Sequence, residues 1–291
     1  MNTAPHTTLI SVEQLQALMA AGQPLTVFDC SFDLSSPTAG EQQFVQAHIP
    51  GAVYAHLDRD LSDKTGAADA ASGGRHPLPS REKFAAWLRS VGFSSDMQAV
   101  VVDRQGANYC GRLWWMLKWC GHEAVAVLDG GLQAWQAAGS AVASGPDTTP
   151  RPAGPFTLSA PCAKLVTAQQ LNQHLGHPDQ AVLDARATPR FRGEVEPLDP
   201  VAGHIPGALN RPFVLNIGPD GRFKPAAVLR QEFETLLAGR DPASVVHHCG
   251  SGVSAIPNLL GMEIAGLGRA ALFAGSWSEW CNTPGLPVAQ G

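Results

Sequence analysis

Residues 244–255 read SVVHHCGSGVSA. A short apolar run, Val245 and Val246, leads to Cys249. Five small or flexible residues follow, Gly250, Ser251, Gly252, Val253 and Ser254, and a helix-compatible run starts at Ala255. The pattern predicts a strand, a tight loop and a helix N-terminus in succession. Such a loop turns amide N–H groups inward around one sulfur, and the helix end adds partial positive charge. That environment favours thiolate over thiol, which makes Cys249 a candidate nucleophile. The first half of the chain has a counterpart without the thiol: AVVVD at residues 99–103 runs into Arg104, Gln105 and Gly106.

That counterpart belongs to a wider repeat. LISVEQL begins at Leu9 and LVTAQQL at Leu165, and HIPGA begins at His48 and again at His204; both offsets are 156 residues. VFDC around Asp29 answers VLDAR around Asp184, and LDGGLQAW from Leu128 answers FAGSWSEW from Phe273. Four matches in the same order predict a tandem duplication of one domain-sized unit. Ser11 with Gln14 and Thr167 with Gln170 are capping-box pairs that start a helix. Short apolar strands alternate with helices through each unit, which predicts an α/β fold with two parallel sheets, each covered by helices on both faces. In such sheets ligands bind at the carboxyl ends of the strands, where Cys249 would stand. The Pro-, Gly-, Ser- and Thr-rich stretch 144–162 reads as a linker between an N-terminal domain, 1–143, and a C-terminal domain, 163–291.

Composition narrows the functional class. The 291 residues carry a formal net charge of −5 and no long basic run, which argues against a nucleic-acid partner. No apolar run is long enough to span a membrane, and the N-terminus lacks the basic-then-apolar pattern of a secretory leader. The six cysteines, at 30, 110, 120, 162, 249 and 281, form no C-x-x-C pair and no regular spacing. They read as reduced thiols of a cytoplasmic protein.

The two HIPGA copies, the strands ending in aspartate and a cysteine loop in the second half alone resemble tandem-domain rhodanese-type sulfurtransferases. The resemblance covers nearly the whole chain. CGSGVSA is similar to the 3-mercaptopyruvate sulfurtransferase form of the loop; the thiosulfate-preferring form has basic residues where Gly250 and Ser251 stand here. The resemblance implies that two rhodanese-like domains are present and that only the second is catalytic. Cys249 would attack the donor sulfur and carry it as a persulfide, held by backbone N–H groups of Gly250, Ser251, Gly252, Val253 and Ser254. The sulfur would pass to a thiol acceptor, such as thioredoxin, or to cyanide, with no metal and no organic cofactor.

The resemblance also assigns the remaining site residues. Ser251 would work with His76, in GGRHPLP, and Asp58 as a proton relay. Arg190 would bind the donor carboxylate and Tyr109 would line the site. A second arginine often follows the Glu-Pro step in the family, but here Leu198 follows Glu196 and Pro197; Arg192 or Arg104 could take its place. Plain structural readings stand beside these. Ser251, His76 and Asp58 are common loop residues, and Tyr109 could be a packing aromatic. Trp114 and Trp115 read as core, and Trp277 as core or pocket wall. His48 and His204 read as structural turns, and Asp184 as a residue that orients loops. His247 and His248 sit on a buried strand, and neither is assigned as a base.

Two rival classes differ by single features. A cysteine phosphatase needs an arginine after a His-Cys-x5 loop, and Ala255 occupies that position. A non-catalytic rhodanese-like binding module commonly lacks the cysteine that is retained here. Within sulfurtransferases, thiosulfate:cyanide transfer is the alternative to 3-mercaptopyruvate. The uncharged Gly250-Ser251 pair favours a mercapto acid over a sulfite-bearing dianion.

Overall fold

Both predicted capping boxes start the helices expected of them. Ser11 Oγ accepts the N–H of Gln14 while the Gln14 side chain accepts the N–H of Ser11, and Thr167 and Gln170 repeat the arrangement. Each box satisfies two amides that a helix start would otherwise leave unpaired. The structure is a computed structural model that describes residues 4–66, 69–147 and 149–291. The first three residues of the N-terminus and residue 148, within the expected linker, lie outside the described residues.

The chain forms two compact units. One comprises the chain to Ser62 with Ser80–Cys162 and Pro219–Phe223; the other comprises Asp63–Pro79, Ala163–Gly218 and Lys224–Gly291. The first contains β1 (Leu9–Ile10), α1 (Val12–Ala20), β2 (Leu25–Asp29), α2 (Ala39–Gln46), β3 (Val53–Tyr54), α3 (Arg81–Ser90), β4 (Gln98–Val102), α4 (Cys110–Trp119), β5 (Val125–Leu128) and α5 (Gly131–Ala137). The second contains β6 (Lys164–Leu165), α6 (Ala168–Gln173), β7 (Ala181–Asp184), α7 (Thr188–Phe191), β8 (Leu209–Asn210), α8 (Ala226–Leu237), β9 (Val245–His248), α9 (Ile256–Ile264), β10 (Ala271–Leu272) and α10 (Ser276–Trp280).

Each unit builds a five-stranded, wholly parallel sheet, in the orders β1-β5-β4-β2-β3 and β6-β10-β9-β7-β8. The two orders are the same. Val100, Val102 and Trp135 pack with Ile10 and Leu15 in the first core; Val182 and Val246 pack with Phe273, Trp277 and Trp280 in the second. Every residue of α4 is buried, Trp114 and Trp115 included, as expected of a helix apolar on most of its circumference. The expected linker is closely held by the first unit. Gly154 N–H bonds to Arg89 O and Ser159 N–H to Cys120 O, and Phe156 is buried against Phe93.

The HIPGA copies do the same work twice. His48 stacks on Phe44 with ring centroids 3.9 Å apart and pairs by a backbone bridge with Ala143; His204 stacks on Phe191 at 3.9 Å and pairs with Ala289. Each histidine ties a later stretch of its own unit onto the loop that leads into a strand, β3 for His48 and β8 for His204.

Asp184, at the end of β7, is fully buried and braced by Arg186. The guanidinium gives it bonds of 2.7 to 3.2 Å, donates to Gly203 O at 2.7 Å, reaches Glu196 at 3.4 Å and lies 4.7 Å from the Trp277 ring centre. Burial alone would raise the Asp184 carboxyl. The positive groups against it hold it below the ordinary carboxylate range, Arg186 above all, because burial pushes His248 towards its neutral form. The stability this pairing provides is fully present above the unfolded carboxylate value, about pH 4, and is lost as pH falls through the lower folded value. Arg186→Met should therefore cost about 3–5 kcal/mol at neutral pH, because it strands a buried carboxylate. Urea unfolding should show the loss shrinking below about pH 4; a loss that does not vary with pH would mean that Arg186 acts through its packing on Trp277.

Candidate active site

Cys249 follows directly on β9, which lies between β10 and β7 in its sheet, and is 1% exposed. Its N–H donates to Ser276 Oγ at 3.1 Å, and that hydroxyl lies 4.0 Å from Cys249 Sγ. The carbonyls of Cys249 and Gly250 accept the N–H groups of Trp277 at 3.0 Å and Ser278 at 2.9 Å. The start of α10 thus clasps the thiol loop. Ser276 has φ +55°, a left-handed conformation that a non-glycine residue adopts only under constraint. Trp277 is fully buried in the core with its Nε1–H on Val201 O, so it packs and does not wall a pocket. The sequence reading missed Ser276; its signal was its place in FAGSWSEW opposite the Gly-Gly of LDGGLQAW.

The register of the two sheets equates two loops. Asp29, at the end of β2, lies opposite Val102, and Asp184, at the end of β7, lies opposite His248. Asp103 is therefore the counterpart of Cys249, and each stands seven residues before the first residue of the next helix. In the first unit four loop amides wrap the Asp103 carboxylate: those of Gln105 and Ala107 reach Oδ1 at 3.0 and 3.1 Å, and those of Tyr109 and Cys110 reach Oδ2 at 2.9 and 3.0 Å. The loop is an anion cradle that its own aspartate fills. Burial also pushes three thiols of this unit up, Cys30 and Cys110 well above their ordinary value and Cys120 to about 11.

Ser251 Oγ lies 2.8 Å from His76 Nδ1, with the two residues 6% and 2% exposed. His76 arrives on Asp63–Pro79, a segment of the sequence's first half that belongs to the second unit. Helix α10 holds that segment too: Gly73 N–H donates to Glu279 Oε2 at 3.0 Å and Arg75 N–H to Ser278 Oγ at 2.9 Å. Arg190 bonds Glu196 at 2.6 Å and Asp199 at 3.3 Å. A Cβ on Gly250 would come 3.5 Å from Arg190 Nη1 and 3.2 Å from Arg75 Nη2. Arg75 escaped the sequence reading although it directly precedes His76.

The structure thus brings Cys249, Gly250, Ser251, Gly252, Val253, Ser254, His76 and Arg190 together within one unit. Asp58 and Tyr109 belong to the other unit. Asp58 lies in the turn after β3 with its N–H on His56 Nδ1 at 3.1 Å; Tyr109 is buried edge-on to Phe32 at 5.4 Å. Of the two arginines considered for the missing position, Arg104 is engaged by Asp29, Ser31 and the carbonyls of Gln43 and Ala47. Arg192 is exposed beside Glu194.

Gly252 has φ +73°, and a Cβ there would stand 2.1 Å from Ala274 O. Gly252→Ala must therefore move the backbone of the loop, at a cost of about 1–3 kcal/mol. Its Cys249 alkylation rate and thermal midpoint should both fall; unchanged values would mean that the loop is looser than this geometry.

The chain matches the family of the Rhodanese-like domain over residues 11–138 and 167–283. It is 46% identical over 286 residues to a Pseudomonas aeruginosa protein named "Probable 3-mercaptopyruvate sulfurtransferase", covering 97% of this chain and 98% of that one. It is 30% identical over 312 residues to "Thiosulfate/3-mercaptopyruvate sulfurtransferase 2" of Arabidopsis thaliana, covering 99% of this chain and 89% of that one. The solved structure of "3-mercaptopyruvate sulfurtransferase from Leishmania major" superposes with a TM-score of 0.82 at 29% identity, covering 97% of this chain and 78% of that one. Among the described residues no helix is long and apolar enough to cross a membrane. The repeated sheet order, the paired loops and the two matched stretches make this chain a member of the rhodanese family, with two rhodanese-like domains in tandem.

Proposed function

We propose that the chain is a sulfurtransferase that takes sulfur from 3-mercaptopyruvate onto Cys249 as a persulfide and passes it to a thiol or cyanide. One observation carries this reading: Cys249 stands where the sister loop holds a carboxylate inside a ring of four amides. A thiol in an anion cradle suits a reaction whose intermediate is an anionic sulfur. The names of the relatives support the same class.

In the proposed step the Cys249 thiolate attacks the donor sulfur, and an S–S bond forms as the carbon–sulfur bond breaks. The electron pair leaves on the donor carbon as the enolate of pyruvate. The proton of the donor thiol moves to that carbon, giving pyruvate and a Cys249 persulfide anion, so charge and atoms balance. Ser251 with His76 would carry the proton, which is why their 2.8 Å hydrogen bond favours the mercapto acid. The proposed relay takes Asp58 as its third member, and Tyr109 keeps its proposed place as a lining residue. An acceptor thiolate, or cyanide, then attacks the outer sulfur and restores Cys249. The proposed compartment is the cytoplasm, where thiols stay reduced, and a dithiol such as thioredoxin is the proposed thiol acceptor. Ala255, buried at the start of α9, offers no guanidinium for a phosphoryl group.

Thiosulfate is the second reading. Two guanidinium groups beside Gly250 would also suit a doubly charged donor. Intact mass after mixing with 3-mercaptopyruvate should show a gain of about 32 Da on Cys249, and Cys249→Ser should lose the adduct and the turnover of both donors. No adduct on the wild-type chain sinks the proposal. Ser251→Ala should lower kcat/KM for 3-mercaptopyruvate by about 100-fold and for thiosulfate much less; equal losses remove the relay.

A further inference from the structure

We propose that Glu279 is a positioning residue for the transfer: its carboxylate latches the strap 71–78 onto α10 and so sets the distance between His76 and Ser251. The inference rests on the sulfurtransferase reading for the step that this pair would serve.

The strap has no regular structure to hold it in place: no strand or helix lies between residues 71 and 79. It closes on itself, with Ala71 N–H on Leu78 O at 2.8 Å and Leu78 N–H on Ser72 Oγ at 2.9 Å. Its bonds to α10 then set where the closed loop sits. Gly73 N–H donates to Glu279 Oε2 at 3.0 Å, and Arg75 N–H donates to Ser278 Oγ at 2.9 Å. The next residue is His76, whose Nδ1 lies 2.8 Å from Ser251 Oγ. Ser251 is referred to the same turn of helix, because Ser278 N–H holds the carbonyl of the preceding Gly250 at 2.9 Å. Neighbouring residues of α10, Ser278 and Glu279, therefore hold both sides of the Ser251–His76 pair.

Glycines make room for the latch. A Cβ on Gly275 would fall 1.4 Å from Glu279 Oε2, so the carboxylate folds back over the start of its own helix. A Cβ on Gly73 would come 3.0 Å from Glu279 Cδ, and one on Gly74 would come 2.4 Å from Gly275 O. Strap and helix thus meet with no side chain between the Gly73 amide and its acceptor. The carboxylate keeps this place against a cost. Burial raises it above its ordinary value, the Gly73 N–H works against that rise, and among the described residues no cation pairs with it. A half-buried acid that serves one amide suits a latch, since a charged acceptor holds an N–H roughly twice as strongly as a neutral one.

Glu279→Leu removes the acceptor and keeps the bulk. It should lower kcat for 3-mercaptopyruvate about 10- to 100-fold, with KM changed far less. Turnover of thiosulfate, which needs no proton relay, should fall much less. Glu279→Gln keeps an acceptor oxygen and should recover a large part of the loss. Ser251→Ala combined with Glu279→Leu should be no slower than Ser251→Ala alone, because both act through one contact. Equal losses with the two donors, or losses that multiply in the double variant, overturn the proposal. If Glu279→Leu does not fold, Gly73→Val reaches the same contact from an exposed position of the strap. It should show the same donor-selective loss, and unchanged kinetics overturn the proposal. A readout without turnover separates the latch from the sulfurtransferase reading. The ring NMR signals of His76, identified by their absence in His76→Gln, should shift in Glu279→Leu and in Gly73→Val and move less in Glu279→Gln. Unmoved signals overturn the latch. A wild-type chain that forms no persulfide refutes the sulfurtransferase reading, yet the His76 signals still report on the latch.

Discussion

Two hydrogen bonds from the first turn of α10 organise the second unit. By accepting the N–H groups of Trp277 and Ser278, the carbonyls of Cys249 and Gly250 lose their freedom to rotate, and the thiol loop takes one path between strand and helix. The same short helix then receives Gly73 and Arg75 through Glu279 and Ser278. The thiol and the Ser251–His76 pair are therefore referred to one rigid frame, which is what pre-organised chemistry requires. The constraint has a local cost, visible in the left-handed backbone of Ser276 and in the closeness of Gly252 to Ala274 O.

The duplication supplies an internal comparison for the chemistry. One sheet order, one loop length and one register yield two different loops. In the first unit an aspartate fills the ring of amides and seals it; in the second a cysteine stands in the same place. The fold thus sets the potential of the loop, and the side chain at the strand end decides whether that potential is spent on stability or left for a ligand. The aspartates that end β2 and β7 show the same division of labour. Each is buried and paired with an arginine, but Arg104 comes from the loop after β4 while Arg186 lies two residues from Asp184. Two solutions to one buried charge indicate that the requirement belongs to the architecture and not to the chemistry.

The charged groups around Arg190 also explain why an arginine there need not be free to be useful. Arg190 keeps Glu196 and Asp199 as partners and still presents a prong near Gly250. A guanidinium has five donors in a planar fork, so it can be anchored and available at once. A lysine could not divide its roles in that way.

Much of this was legible in the chain. The capping pairs, the aspartate-ended strands and the repeated HIPGA are local patterns whose meaning depends on neighbours a few residues away, and so the two parallel sheets, the thiol loop and its cysteine-free counterpart could be read directly. Ser251 and His76 were reached only through a family resemblance, because they lie 175 residues apart and nothing local links them. Arg75 and Ser276 were passed over, one beside a residue that was chosen and one inside a repeat landmark. The sequence by itself determined which elements form and where a thiol meets a loop of amides, since backbone hydrogen bonding and apolar periodicity act at short range. Only the tertiary structure decided which long-range side chains share that loop. That choice is made by packing, which carries the segment Asp63–Pro79 into the second unit and leaves Arg104 locked in the first.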